Sequence, residues 1–193
     1  MGVVSPSDMK LAAPGRSKYA RVERERRYLL QGLPPGLKLS DPHTQITDNY
    51  VTGTRLRLRK VRDPRTNEWT LELTQKHAPD APDFSRTLVT NIYLSPYEYE
   101  VLSVFEGNEV RKNRYPYEHE GRKFSVDVFL GALHGLVLAE TEFDTDEELR
   151  DFPLPPFAAR DVTNDELFTG GRLVELTADD IRAELARREG RDT

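Results

Sequence analysis

Val22-Glu23-Arg24-Glu25-Arg26-Arg27-Tyr28-Leu29-Leu30 decides how the rest of the sequence is read. In a β-strand, successive side chains point to opposite faces. Glu23, Glu25 and Arg27 then share one face, and the same spacing puts Glu140 and Glu142 of Glu140-Thr141-Glu142 on one face of another strand. These carboxylate pairs lie more than a hundred residues apart, so only the fold can bring them together. If they meet, they supply hard oxygen ligands for a divalent cation such as Mg²⁺, which points to a metal-dependent phosphate enzyme.

Working outward, the same alternation recurs along the chain. A first strand is expected from Tyr19 to about Leu30, broken by Gly32-Leu33-Pro34-Pro35-Gly36. Ile46 to Val51, Thr54 to Val61 and Glu68 to His77 read as strands, with a hairpin turn at Asp63-Pro64-Arg65-Thr66-Asn67. Ser85 to Leu94 reads as the next strand. Ser95-Pro96-Tyr97-Glu98 then supplies a helix start with a capping box and Pro at the first position. Strands follow at Glu109 to Tyr117, Lys123 to Leu130 and Leu136 to Phe143. A helix start at Asp144 to Leu149, a short helix at Asp165 to Leu173 and a polar helix at Thr177 to Arg188 complete the body. About eight strands joined mostly as hairpins predict a β-dominated α+β protein, an eight-stranded antiparallel closed β-barrel with peripheral helices. Residues 1–17, rich in Ser, Pro, Gly and Ala, read as a flexible arm, and residues 18–193 as a single domain.

Composition excludes several classes. Without cysteine there is no disulfide scaffold and no thiolate metal site. No apolar run approaches the roughly 20 residues of a membrane helix, and no signal-peptide pattern opens the chain, so the expected location is cytoplasmic, away from membranes. A net charge of −5 argues against bulk attraction to nucleic acid. The four histidines have no ligand spacing.

The distribution of charge is more informative than its sum. Arg55, Arg57 and Arg59 alternate with Leu56 and Leu58; Lys112 and Arg114 flank Asn113; Asp127 alternates with Val126 and Val128. For one strand, a solvated ionised face is the ordinary explanation. Recurrence over five strands favours a barrel with its charged faces inside and its outer apolar faces covered. Such a lumen needs opposite charges, water or a polyanion to offset burial, and guanidinium groups suit phosphate oxygens.

These residues resemble the CYTH superfamily, the triphosphate tunnel metalloenzymes. Glu23-x-Glu25-x-Arg27 is similar to the signature E-x-E-x-K, Leu56-Arg57-Leu58-Arg59 to the paired-arginine strand, and Leu73-Thr74-Gln75-Lys76 to L-T-x-K. Arg111-Lys112-Asn113-Arg114-Tyr115 resembles K-x-R-Y. Val126 to Gly131 and Leu138 to Phe143 resemble D-x-F-x-G and L-A-E-x-E-F, and Arg160-Asp161-Val162-Thr163 resembles K-E-V-T. The seven elements run in order from about residue 19 to 175. The departures are Arg27 for the signature lysine and Arg160-Asp161 for Lys-Glu.

The resemblance implies a tunnel that hydrolyses a small-molecule triphosphate with Mg²⁺ or Mn²⁺, inorganic triphosphate being favoured over thiamine triphosphate, nucleoside triphosphates and ATP cyclisation. It implies metal binding by Glu23, Glu25, Glu140 and Glu142, with Glu23, Glu25, Arg27 and Lys76 in catalysis. Arg57, Arg59, Lys76, Lys112, Arg114 and Arg160 would clamp phosphates, with Arg55 an alternative register for the paired arginines. Asp127 would align an arginine or help a second metal. A non-catalytic polyphosphate-binding module is the reading of another class, and the expected assembly is a monomer or homodimer.

Overall fold

The computed structural model describes residues 20–79 and 82–189; the N-terminal arm expected at 1–17 lies outside them. Among the described residues nine strands form: β1 Arg21–Leu30, β2 Thr44–Val51, β3 Leu56–Arg62, β4 Trp69–His77, β5 Arg86–Tyr93, β6 Gly107–His119, β7 Arg122–Phe129, β8 Val137–Glu142 and the short β9 Arg160–Asp161. The helices are α1 Pro96–Leu102, α2 Asp146–Asp151, α3 Gly170–Leu173 and α4 Ala178–Glu189, with 3-10 turns at Gly131–Leu133 and Glu166–Phe168.

The sheet runs β5-β4-β3-β2-β6-β7-β8-β1, and β1 returns to β5, which closes an eight-stranded antiparallel barrel. The seam is a divided edge. Residues 21 to 24 of β1 pair with β5, whereas Tyr28 and Leu29 pair with β9. Hairpin chemistry fixes the registers nearby: Glu120 and Gly121 both have positive φ (49° and 77°), as the two-residue turn between β6 and β7 requires. Asn67, at φ 58°, turns the chain between β3 and β4. Ser95 caps α1 with the reciprocal Glu98 bond expected from the sequence.

Apolar packing occupies two places. Tyr28, Tyr115, Phe124, Val126 and Ala139 project from the outer face of β1 and β6 to β8, where Leu37, Phe152 and Phe157 cover them. The Phe124 and Phe157 rings meet edge to face at 5.1 Å. The second core lies on the opposite parity. Leu29, Val110, Phe129 and Leu138 face the inside near one end of the barrel, and Val162, Leu167, Phe168, Leu173 and Ile181 pack onto them. The residues after β9 thus form an apolar stopper against that end. Gly170 is needed there because a Cβ would meet the Tyr50 hydroxyl at 1.9 Å.

Candidate active site

Register determines which charges meet inside. Glu25 lies opposite Glu142 and Arg27 opposite Glu140 across β1 and β8. Arg57 lies opposite Tyr50 and Arg59 opposite Asp48 across β3 and β2, and Arg114 lies opposite Asp127 across β6 and β7. Side chains at these positions share the inner face.

The inner cations are distributed among four carboxylates. Glu25 Oε1 accepts from Arg27 and from Lys76, each at 2.9 Å. Glu140 accepts from Arg27 Nε at 2.9 Å and from Arg114 at 2.8 Å. Asp127 accepts from both edge nitrogens of Arg114, at 2.7 and 2.6 Å, and pairs with Lys112. Asp48 accepts from Arg59 Nε at 2.6 Å and from its terminal nitrogen at 2.7 Å, with Arg57 Nε 3.6 Å away. Asp48 and Asp127 are almost fully buried, and a buried carboxylate persists only when so compensated.

The ionisation of these groups follows from their neighbours. Burial alone would lift the Asp48 pKa, but Arg57 and Arg59 outweigh it and hold it at about 2. Glu140 is likewise kept well below the usual carboxylate range, against the effect of burial, by Arg27, Arg114, Lys112 and Lys76. Burial works to lower the pKa of Arg27, but Glu140 and Glu25 raise it, so the guanidinium stays charged. Lys112 goes the other way: burial lowers its pKa, and Asp127 offsets this only in part, with Arg114 and Arg59 also repelling the charge.

Of the sequence-selected residues, Glu23, Glu25, Arg27, Arg57, Arg59, Lys76, Lys112, Arg114, Asp127 and Glu140 come together within this network. Glu23 sits at its edge, 3.4 Å from Lys76. Glu142 shares the inner parity but is exposed at the rim. Arg55 is exposed ahead of β3 and Arg160 is exposed on β9, so neither enters the network. The paired arginines that meet an inner acid are therefore Arg57 and Arg59.

Three participants are additional to the sequence expectation. Asp48 is the first: it shares the inner parity of Ile46 and Tyr50 and lies directly across from Arg59 on the neighbouring strand. Thr163 is the second, its Oγ1 accepting the Arg27 backbone N–H at 3.0 Å. The third is the Phe168 carbonyl, an acceptor for Arg27 that no side-chain pattern could announce.

A cavity of about 720 Å³ adjoins this network, lined by Glu25, Arg114 and Glu140 of the network together with Glu142, His43 and Arg65. Among the described residues, no three acidic or histidine side chains converge as a preformed cation site. The donor set nevertheless fits a hard divalent cation. Mg²⁺ is commonly held by one or two carboxylates together with substrate phosphates, and Glu25 and Glu142 are direct cross-strand neighbours.

No family model matches the chain. It is 35% identical over 96 residues to the inorganic triphosphatase of Acetivibrio thermocellus, a match spanning 45% of this chain and 60% of that protein. It is 28% identical over 152 residues to the inorganic triphosphatase of Nitrosomonas europaea, over 76% of this chain and 92% of that protein. The crystal structure of the inorganic triphosphatase NE1496 aligns with a TM-score of 0.53 at 26% identity, covering 79% of this chain and 93% of that one. The seven motifs, the closed eight-stranded barrel and the similarity to these inorganic triphosphatases together fit the CYTH superfamily.

Proposed function

We propose that this protein hydrolyses a triphosphate, with inorganic triphosphate the favoured substrate, in a reaction that requires Mg²⁺ or Mn²⁺. The observation that carries the reading is the closed lumen in which six Arg and Lys side chains lie within 4 Å of four carboxylates. A site for the polyanion alone needs the cations but fewer of the acids. The two matched curated relatives are both inorganic triphosphatases, which supports the same reading.

In this reading Arg57, Arg59, Lys112 and Arg114 cradle the phosphate oxygens and stabilise the charge that develops in phosphoryl transfer. Arg27 and Lys76 complete the cradle beside Glu25. Water attacks a terminal phosphorus, the bond from that phosphorus to the bridging oxygen breaks, and orthophosphate and pyrophosphate result. Glu23, Glu25, Glu140 and Glu142 are the residues that would hold the metal, which when bound supplies charge neutralisation and a more acidic water. Glu140, held far below the ordinary carboxylate range by its cations, is a ligand more than a base. Glu142, free of ion pairs among the described residues, is the better acceptor for the proton of the attacking water.

The test is phosphate release from inorganic triphosphate, thiamine triphosphate, ATP and pyrophosphate, each with Mg²⁺, Mn²⁺ or EDTA. EDTA-sensitive turnover with inorganic triphosphate fastest is the expected result. Tight binding of triphosphate with no release from any of the four would leave a binding module instead.

A further inference from the structure

We propose that Asp48 is a charge gate, the residue that makes capture of a triphosphate by this lumen conditional on a divalent cation. The inference rests on the triphosphate reading above and assigns a role to an acid outside the β1 and β8 set.

Asp48 is 2% exposed, and both of its oxygens are held by the Arg59 fork. The nearest edge of Arg59 is therefore already occupied. Arg57 differs: its Nε lies 3.6 Å from Asp48, beyond hydrogen-bond reach, and is buried without a hydrogen-bond partner among the described residues. Among the described residues, its only side-chain hydrogen bond is a long one of 3.3 Å to Thr74. A buried guanidinium N–H without an acceptor is costly, and a phosphate oxygen would relieve it. Arg57 is thus the open donor of the pair, while Arg59 and Asp48 form a neutral unit.

The consequence lies in the charge balance. Glu25, Glu140, Asp127 and Asp48 between them pair with the six inner Arg and Lys side chains, Arg57 only at 3.6 Å, so four of the six positive charges that an arriving polyanion meets are already offset. Carboxylates on β1 and β8 are placed to share their charge with an arriving divalent cation. Asp48, on β2, faces only arginines among its ion-pair partners, and its charge always counts against the substrate. At close range in a partly buried site, one unit charge is enough to change affinity by an order of magnitude.

The experiment is equilibrium binding of inorganic triphosphate to the whole chain in EDTA, comparing the native protein with the isosteric D48N. The gate predicts weak metal-free binding to the native protein and about tenfold tighter metal-free binding to D48N. Equal or weaker binding to a folded D48N overturns it, leaving Asp48 a purely structural partner of Arg59. A second measurement needs no variant: the metal-free affinity of the native protein for orthophosphate, pyrophosphate and triphosphate. A gated lumen shows little gain along that series, whereas roughly tenfold tighter binding per added phosphate refutes the gate. Absence of Mg²⁺-dependent binding or turnover of triphosphate by the native protein would instead remove the functional reading on which the inference stands.

Discussion

The Arg27 guanidinium donates a 3.0 Å hydrogen bond to the carbonyl oxygen of Phe168. One side chain thereby ties the signature strand to the apolar stopper while its other nitrogens hold Glu25 and Glu140. The compact ammonium of lysine cannot reproduce a planar fork with acceptors on three sides. R27K should therefore lower kcat/KM by about tenfold and Tm by about 5 °C, the latter from loss of one or two charge-assisted hydrogen bonds. Phosphate-release kinetics and thermal unfolding read the two effects separately, and an R27K protein unchanged in both would show that the fork is dispensable.

Glu25 and Glu140 each join two inner cations and face the proposed metal position. E25Q and E140Q are expected to lose activity on the order of 10²-fold, by comparison with removal of a single oxyanion stabiliser. R55A and R160A, both at exposed positions, should stay within about twofold of the native rate. The four variants assayed side by side test the site assignment, and a reversed ranking would relocate it.

The depressed Asp48 pKa makes stability pH-dependent in a definite direction. Its folded value of about 2 lies below the ordinary 3.8, so the ionised form is favoured by folding. The contribution, about 2 kcal/mol, is fully present above pH 4 and is lost as pH falls from about 4 toward 2. Urea unfolding of the native protein and D48N across that range should show their stability difference shrinking with acidification. A difference that stays constant to pH 2 would contradict the ion-pair account.

Lys112 sets the opposite limb. Burial lowers its pKa below the usual lysine value, so it surrenders its positive charge earlier than an exposed lysine as pH rises. Triphosphate affinity should fall on the alkaline side, and K112R, charged throughout, should move that fall to higher pH. The pH profile of kcat/KM for the two proteins decides the point.

The barrel was legible because a period of two in charge and hydrophobicity ran through strand after strand. That pattern also assigned the inner face, since Arg57, Arg59, Lys112 and Arg114 occupy the parity it indicated. The ends of elements were less legible. β6 extends to Gly107–His119, beyond the expected Glu109 to Tyr117, because its partners β2 and β7 continue the ladder. The expected helix from Asp165 to Leu173 is instead a 3-10 turn followed by α3, with Thr169 between them in an extended conformation. β9 is two residues long, too short for any periodicity, and exists through its pairing with β1. Asp48 escaped notice because one acid in a mixed strand has no pattern of its own. The Phe168 carbonyl was invisible for a different reason: a backbone acceptor carries no residue-type signal.

β1 is the first of the nine strands to be synthesised, yet its partners come late. Residues 21 to 24 pair with β5, but Glu25 to Leu30 pair with β8, more than a hundred residues downstream, Tyr28 and Leu29 also with β9, and Arg27 is completed by the carbonyl of residue 168. At ribosomal speeds this strand spends on the order of ten seconds before those partners exist, a long exposure for an unpaired edge. Alternating Glu and Arg along Glu23 to Arg27 discourages adhesion to other nascent chains during that interval. The residues proposed for chemistry thus also serve as solubilising guards while the polypeptide is still being made.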